Sequence, residues 1–155
     1  MAKPSPDVDP VLFTYFNEIG IISQLAGTLF ERSLPDGLTN SQFAVLNWFV
    51  RVDDEATPSR LATAFQVTGG AMTNTLKKLE AKGLVKVEPD ANSGRQKRVT
   101  LTRAGKKMRD KAIACAPPVL AEFGEKFSLA KIEKQTRELQ KVRRYLDEYR
   151  YRQGA

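Results

Sequence analysis

The chain has 155 residues, 41% apolar and 28% charged, with a net charge of +7, one cysteine and no histidine. That composition fits one compact soluble domain, or one domain whose extensions bury their apolar faces against another copy, and argues against a disordered tail or two independent domains. Without histidine there is no Ser-His-Asp or Cys-His arrangement and no His-ligated zinc, and Cys115 alone supplies neither a disulfide nor a thiolate metal motif, so no catalytic residue, metal or cofactor is expected.

No apolar run approaches the ~18 residues that cross a bilayer, and the opening MAKPSPDVDP lacks the apolar core of a signal peptide, so a cytoplasmic protein is expected. The charge is unevenly spread. Residues 1–59 sum to −5, residues 60–111 to +9 and residues 112–155 to +3. A basic middle third marks either a polyanion-facing surface or a merely solvated face, and the order of elements must decide.

Leu12, Tyr15, Phe16, Ile19, Ile22, Ala26 and Leu29 recur at three- and four-residue steps, predicting a long helix that ends near Leu34-Pro35-Asp36-Gly37. Thr39 with Gln42 is a capping box opening a second helix through Phe43, Leu46, Trp48, Phe49 and Val50. The acidic run Asp53-Asp54-Glu55 reads as a solvated loop before Thr57-Pro58-Ser59, a helix start in which Thr caps and Pro takes the first turn. A short helix from Pro58 to about Phe65 follows. Gln66-Val67-Thr68-Gly69-Gly70 breaks it, with the two glycines expected to supply positive backbone angles for a tight inter-helix turn.

In the next helix Met72, Leu76 and Leu79 form the buried stripe, leaving Gly70, Thr73, Asn74, Lys77, Lys78 and Ala81 on the other faces. Gly83 stops it. Leu84, Val85 and Val87 start one strand, Val99 and Leu101 close another, and residues 89–94 read as the turn between them. A helix from Thr102 to about Cys115 comes next, with Pro117-Pro118 expected to end or kink it and Cys115 expected to be a small buried residue. From Ser128 onward, Leu129, Ile132, Leu139, Val142, Leu146 and Tyr149 stripe a charged helix.

Helix-turn-helix followed by a hairpin with Arg95, Lys97 and Arg98 near its tip predicts a mainly α fold with a small β-hairpin wing, a winged helix over residues 39–101. The outward residues Thr68, Gly70, Thr73, Asn74, Lys77 and Lys78 would enter the major groove of double-stranded DNA, where Asn pairs with adenine and Lys with guanine. Arg95, Lys97 and Arg98 would reach phosphates or the minor groove, and Ser59 and Arg60 would contact DNA from the helix before the turn. The stripes over 9–34 and 102–152 either pack on each other within a monomer or, more economically, intertwine two chains about a two-fold axis. The effector pocket is unknown from sequence; Tyr15, Phe16, Trp48, Phe49 and Met108 are candidate linings, although aromatic stripes of this kind read first as plain core.

The segments PSRLATAFQVTGGAMTNTLKKLEAKGLV and SGRQKRVTLTRAGKKM resemble the helix-turn-helix, and the wing with its LT-x-x-G helix opening, of the multiple-antibiotic-resistance regulator (MarR) family of bacterial winged-helix transcription factors. The resemblance in helix order spans Leu12 to about Tyr151. It implies a homodimeric regulator, usually a repressor, that binds a pseudo-palindromic operator and is released by a small aromatic ligand. One position departs: the family wing commonly carries Asp two residues before its Arg, and here Ser93 precedes Arg95, with Asp90 or Asn92 as candidate substitutes for the brace. A second reading keeps the winged helix but turns its basic face to structured RNA or an acidic protein.

Overall fold

The computed structural model describes residues 9–152, which divide into two units meeting between Ala116 and Pro117. The first begins with α1 (Pro10–Ser33), capped by Asp9, whose Oδ1 accepts from Val11 N–H at 2.9 Å. A 3-10 turn over Pro35–Gly37 leads to α2 (Asn40–Arg51). Thr39 and Gln42 form the expected capping box: Thr39 Oγ1 accepts from Gln42 N–H at 3.2 Å, and Gln42 Oε1 from Thr39 N–H at 3.3 Å. Two orphan helix-end donors are thereby satisfied. Then come β1 (Glu55–Ala56), α3 (Pro58–Phe65), α4 (Gly69–Ala81), β2 (Val85–Asp90), β3 (Ser93–Leu101) and α5 (Arg103–Ala114).

The described strands form an antiparallel sheet in the order β1-β3-β2. Val99 sits in the central strand opposite both Ala56 and Val87 and is wholly buried. Around it Val45, Leu46 and Phe49 of α2, Leu61 and Ala62 of α3, and Met72, Leu76 and Leu79 of α4 close one apolar core, to which α5 adds Ala112. Every strand and α-helix of the unit except α1 contributes a buried residue; α1 and the 3-10 turn have none. Its Val11, Leu12, Phe13, Phe16, Ile22, Leu25 and Leu29 are exposed.

The start of α5 is held by a polar clamp. Thr102 Oγ1 donates to Gly83 O at 2.7 Å and accepts from Gly105 N–H at 2.9 Å, while Thr102 N–H donates to Leu84 O at 3.2 Å. Gly105 is buried at the same place, and a Cβ on it would overlap the Leu84 carbonyl oxygen and crowd the Leu101 side chain. The LT-x-x-G motif is thus a packing device: Leu101 fills, Thr102 caps and Gly105 admits the chain.

Several expectations are corrected. Glu55 is not in a loop but in β1, paired with Thr100, because Ala56 needs burial beside Val99. The hairpin turn is Ala91-Asn92 rather than residues 89–94; the strands run on through Pro89, Asp90 and Ser93, with a register shift between Pro89 and Asp90. Gly69 and Gly70 lie inside the first turn of α4, and the positive φ of the inter-helix turn, +53°, belongs to Gln66. Cys115 is only half-buried, at the C-terminal cap of α5. Pro117 and Pro118 open a new helix, for a proline lacking its N–H is tolerated in a first turn.

That new helix is α6 (Pro117–Lys126), which with α7 (Leu129–Arg152) makes the second unit. Phe123 and Phe127 stack with ring centroids 4.4 Å apart, and α7 carries intrahelical ion pairs such as Glu133–Arg137 at 3.1 Å. Of the expected stripe of α7, Ile132 and Val142 are half-buried and Leu139, Leu146 and Tyr149 exposed. Among the described residues no helix is long and apolar enough to cross a membrane.

The clamp yields a direct test. Gly105→Ala forces α5 off the Leu84 carbonyl, and we expect it to cost about 2 kcal/mol or more of stability. Denaturant melts followed by circular dichroism should show the midpoint falling with an unchanged slope.

Candidate nucleic-acid interface

The helix-turn-helix is built by local caps. Thr57 Oγ1 accepts from Arg60 N–H at 3.2 Å to open α3, and Pro58 takes its first turn. Left-handed Gln66 closes α3: its N–H donates to Thr63 O at 3.2 Å, and Val67 N–H donates to Ala62 O at 3.0 Å. Thr68 then opens α4, its Oγ1 accepting from Ala71 N–H at 3.1 Å. Buried Met72, Leu76 and Leu79 fix the rotation of α4 about its axis, so Gly70, Thr73, Asn74, Lys77 and Lys78 all face solvent.

Gly69 and Gly70 have no conformational need to be glycine, since neither has a positive φ and a Cβ on either would meet no atom within 4 Å. What the two glycines provide is access: no side chain rises beside the N–H groups of Gly69 and Gly70, at the helix end that attracts anions.

Glu80 Oε1 accepts from Val87 N–H at 3.2 Å and ties α4 to the wing. An open groove lies between them, lined by Ser59, Thr73, Lys77, Arg95 and Lys97. Five of the sequence candidates are therefore brought together. Asn74 and Lys78 stand on the exposed face of α4 outside that groove. Gln96, also in the groove lining, was missed because charge and not amide content singled out the wing.

The basic residues divide into two groups. Among the described residues no carboxylate pairs with Lys77, Lys78, Arg95 or Lys97. Arg60, by contrast, is bound to Asp53 at 2.5 Å with its guanidinium 5.1 Å from the Trp48 ring centroid, and Arg98 is bound to Glu55 at 3.1 Å. Both candidates are thus partly neutralised inside the molecule. Arg98 also sits opposite Glu88, further from the turn than the hairpin tip at which it was expected. The acidic run 53–55 supplies both partners, a role that no spacing in the sequence announces. As for the wing brace, Asp90 Oδ1 accepts from Asn92 N–H at 3.0 Å, so this carboxylate shapes the turn itself and leaves Arg95 unbraced.

The sequence profile of the MarR family matches residues 36–96, the span from the turn after α1 to the wing. Residues 36–96 thus carry a likeness to the MarR family, over less than half of the chain. Among solved structures, wild-type MarR of E. coli in its apo form is 25% identical, with 88% of this chain and 98% of that one covered at a TM-score of 0.72. MepR of S. aureus, crystallised with DNA, is also 25% identical, covering 83% of this chain and 95% of that one at 0.67. BpsR of Bordetella bronchiseptica, in a structure concerned with regulation of its DNA binding by 6-hydroxynicotinic acid, shares the fold at 19% identity, 83% and 98% coverage and a TM-score of 0.70. No curated protein matches the chain.

Within this fold the candidate effector linings separate. Phe49 is core, and Trp48 and Met108 pack half-buried against it. Tyr15 and Phe16 are exposed on α1, their rings edge-to-face at 5.4 Å.

The Arg60 hydrogen bond, helped by the Glu55 N–H, holds the Asp53 carboxyl below the ordinary aspartate range. A carboxyl lowered in this way favours the folded state above its unfolded pKa, and that contribution is lost as pH falls through the lowered folded value, below about pH 4. In an NMR titration, Asp53 should show a lower midpoint in the wild type than in Arg60→Gln. Equal midpoints would mean that the guanidinium exerts no hold.

Proposed function

We propose that the protein is a homodimeric, sequence-specific double-stranded-DNA-binding transcriptional regulator, a repressor acting at a pseudo-palindromic operator and released by a small aromatic effector. In this reading α4 enters the major groove with Thr73, Asn74, Lys77 and Lys78 toward base edges, while Gly70 and Thr68 allow its first turn to approach a phosphate. Arg95 and Lys97 take the flanking backbone or minor groove, with Ser59 on a phosphate from α3. Arg60 and Arg98 join only by exchanging a carboxylate for a phosphate.

One observation carries the reading: the exposed polar face of α4 and the unpaired cations of the wing border a single open groove. Cations left without carboxylates at a surface that also has two bare first-turn glycines suit a polyanion better than they suit water alone. The relatives crystallised with DNA support it. Dimerisation is supported by α1, a 24-residue helix that carries many exposed large apolar side chains and buries none, a face that a second copy would cover. Residues 9–34 and 102–152 would form the dimer body and residues 39–101 the DNA-binding region.

Duplexes selected from a random pool by the wild type provide the test. Asn74→Ala should lose about 1–3 kcal/mol of discrimination at particular base pairs, whereas Arg95→Ala should weaken all duplexes alike and lower the salt slope by about one. Binding by the wild type that ignores salt concentration would contradict the reading.

Gly70→Ala separates surface from fold. The melting temperature should hold or rise, because alanine favours a helix, while affinity for the selected duplex drops as the added methyl blocks close approach. Unchanged affinity would place the partner elsewhere.

A further inference from the structure

The proposed function makes the separation of two recognition helices matter, and that separation is set at the joints between the dimer body and the winged helix, one of which is the crossing of α1 with α2. This joint is sparse. No residue of α1 is buried, and among the described residues the hydrogen bonds between α1 and α2 all come from Asn40, the first residue of α2. Its backbone N–H donates to Glu31 Oε2 at 2.9 Å, and its side-chain Nδ2 donates to Gly27 O at 2.6 Å. The two acceptors are one helical turn apart, so the pair of bonds fixes a direction as well as a point. Position 27 is a glycine, and a Cβ there would lie 3.5 Å from the same Nδ2, an ordinary contact that the crossing would accommodate.

Downstream of Asn40 the connection is stiff. Gln42 Oε1 accepts from Lys82 Nζ at 3.2 Å and so reaches the end of α4, and Asn47 Oδ1 accepts from Arg109 Nε at 3.0 Å and so reaches α5. Val45, Leu46 and Phe49 bury α2 in the same core as Met72 and Leu76. Between α1 and the DNA-reading face, the weakly secured step is therefore the α1–α2 crossing.

We propose that Asn40 is the positioning residue that sets the angle of α1 against the winged helix, and through it the spacing of half-sites that a dimer accepts. This rests on the dimeric DNA-binding reading above. Asn40 touches no DNA; it acts through the crossing.

The test uses the full chain and a duplex selected by the wild type, together with derivatives whose half-site spacing is lengthened or shortened by single base pairs. Asn40→Ala removes the side-chain bond. Asn40→Asp keeps a residue suited to a helix start but turns an oxygen toward Gly27 O and adds a charge beside Glu31, so it preserves α2 while opposing the crossing. For both variants we expect dimer mass and melting temperature near wild type, about tenfold weaker binding at the preferred spacing, and a flattened or displaced spacing optimum. Recovery of the wild-type profile by Asn40→Asp would assign Asn40 to the helix start alone and overturn the proposal. So would a wild-type spacing profile in both variants. A wild type that binds no duplex, or binds as a monomer, would overturn the DNA-binding or the dimeric reading and this inference with it.

Discussion

The close approach of Gly105 to the Leu84 carbonyl is the constraint on which the rest of the molecule depends. Four elements terminate within a few residues of it. Gly83, at φ +70°, ends the run of α4; Leu84 N–H returns to Leu79 O at 2.9 Å; β2 starts at Val85; and β3 ends at Leu101, where Thr102 caps α5. A recognition helix and a wing can address one partner together only if the angle between them is fixed. Here it is fixed by two backbone carbonyls, one hydroxyl and a missing methyl, all within the span 83–105. Glu80, bonded to Val87 N–H, adds a second strut on the groove side.

The management of charge follows from that geometry. Near a surface a guanidinium paired with a carboxylate gains little stability, because solvent screens the pair. What such pairs change is the field presented outward. The pairs Asp53–Arg60 and Glu55–Arg98 remove charge from the flank of α3 and the base of the wing, while Lys77 and Lys78 of α4, Arg95 and Lys97 near the wing turn, and Arg103, Lys106 and Lys107 of α5 keep theirs. Within a Debye length of about 10 Å the distribution of cations counts for more than their sum.

Helices and caps were legible in the sequence because their signals are local. Thr39 with Gln42, Thr57-Pro58 and the Met72, Leu76, Leu79 stripe each specify a structure within a few residues, and each is found as read. The strand β1 was not legible: two residues cannot show alternation, and Glu55-Ala56 is a strand only because β3 lies beside it. The turn at Gln66 misled for a related reason. Glycine is the residue most often needed at positive φ, but the tight packing of α3 against α4 imposes +53° on a glutamine, leaving the glycines for the surface. At the site, the outward face of α4 followed from its buried stripe, whereas the capture of Arg60 and Arg98 by acidic neighbours depends on long-range placement that no spacing encodes. Nor does the sequence mark Asn40, whose partners lie nine and thirteen residues back across a turn.

A helix that contributes nothing to the core and a core that is otherwise closed make an unusual division of labour. The winged helix gains no buried side chain from α1, and among the described residues the hydrogen bonds between α1 and α2 come from Asn40 alone. In the proposed dimer the apolar face of α1 is spent on the second copy, and the two crossings become the points at which each winged helix hangs from a shared body. A rotation there is magnified by the distance to α4 and applied twice by symmetry. In that proposal an effector would not need to touch the exposed face of α4 to change affinity; it would need only to bind one crossing angle better than another. The sparse polar joint is what makes such a difference small enough for a ligand to supply.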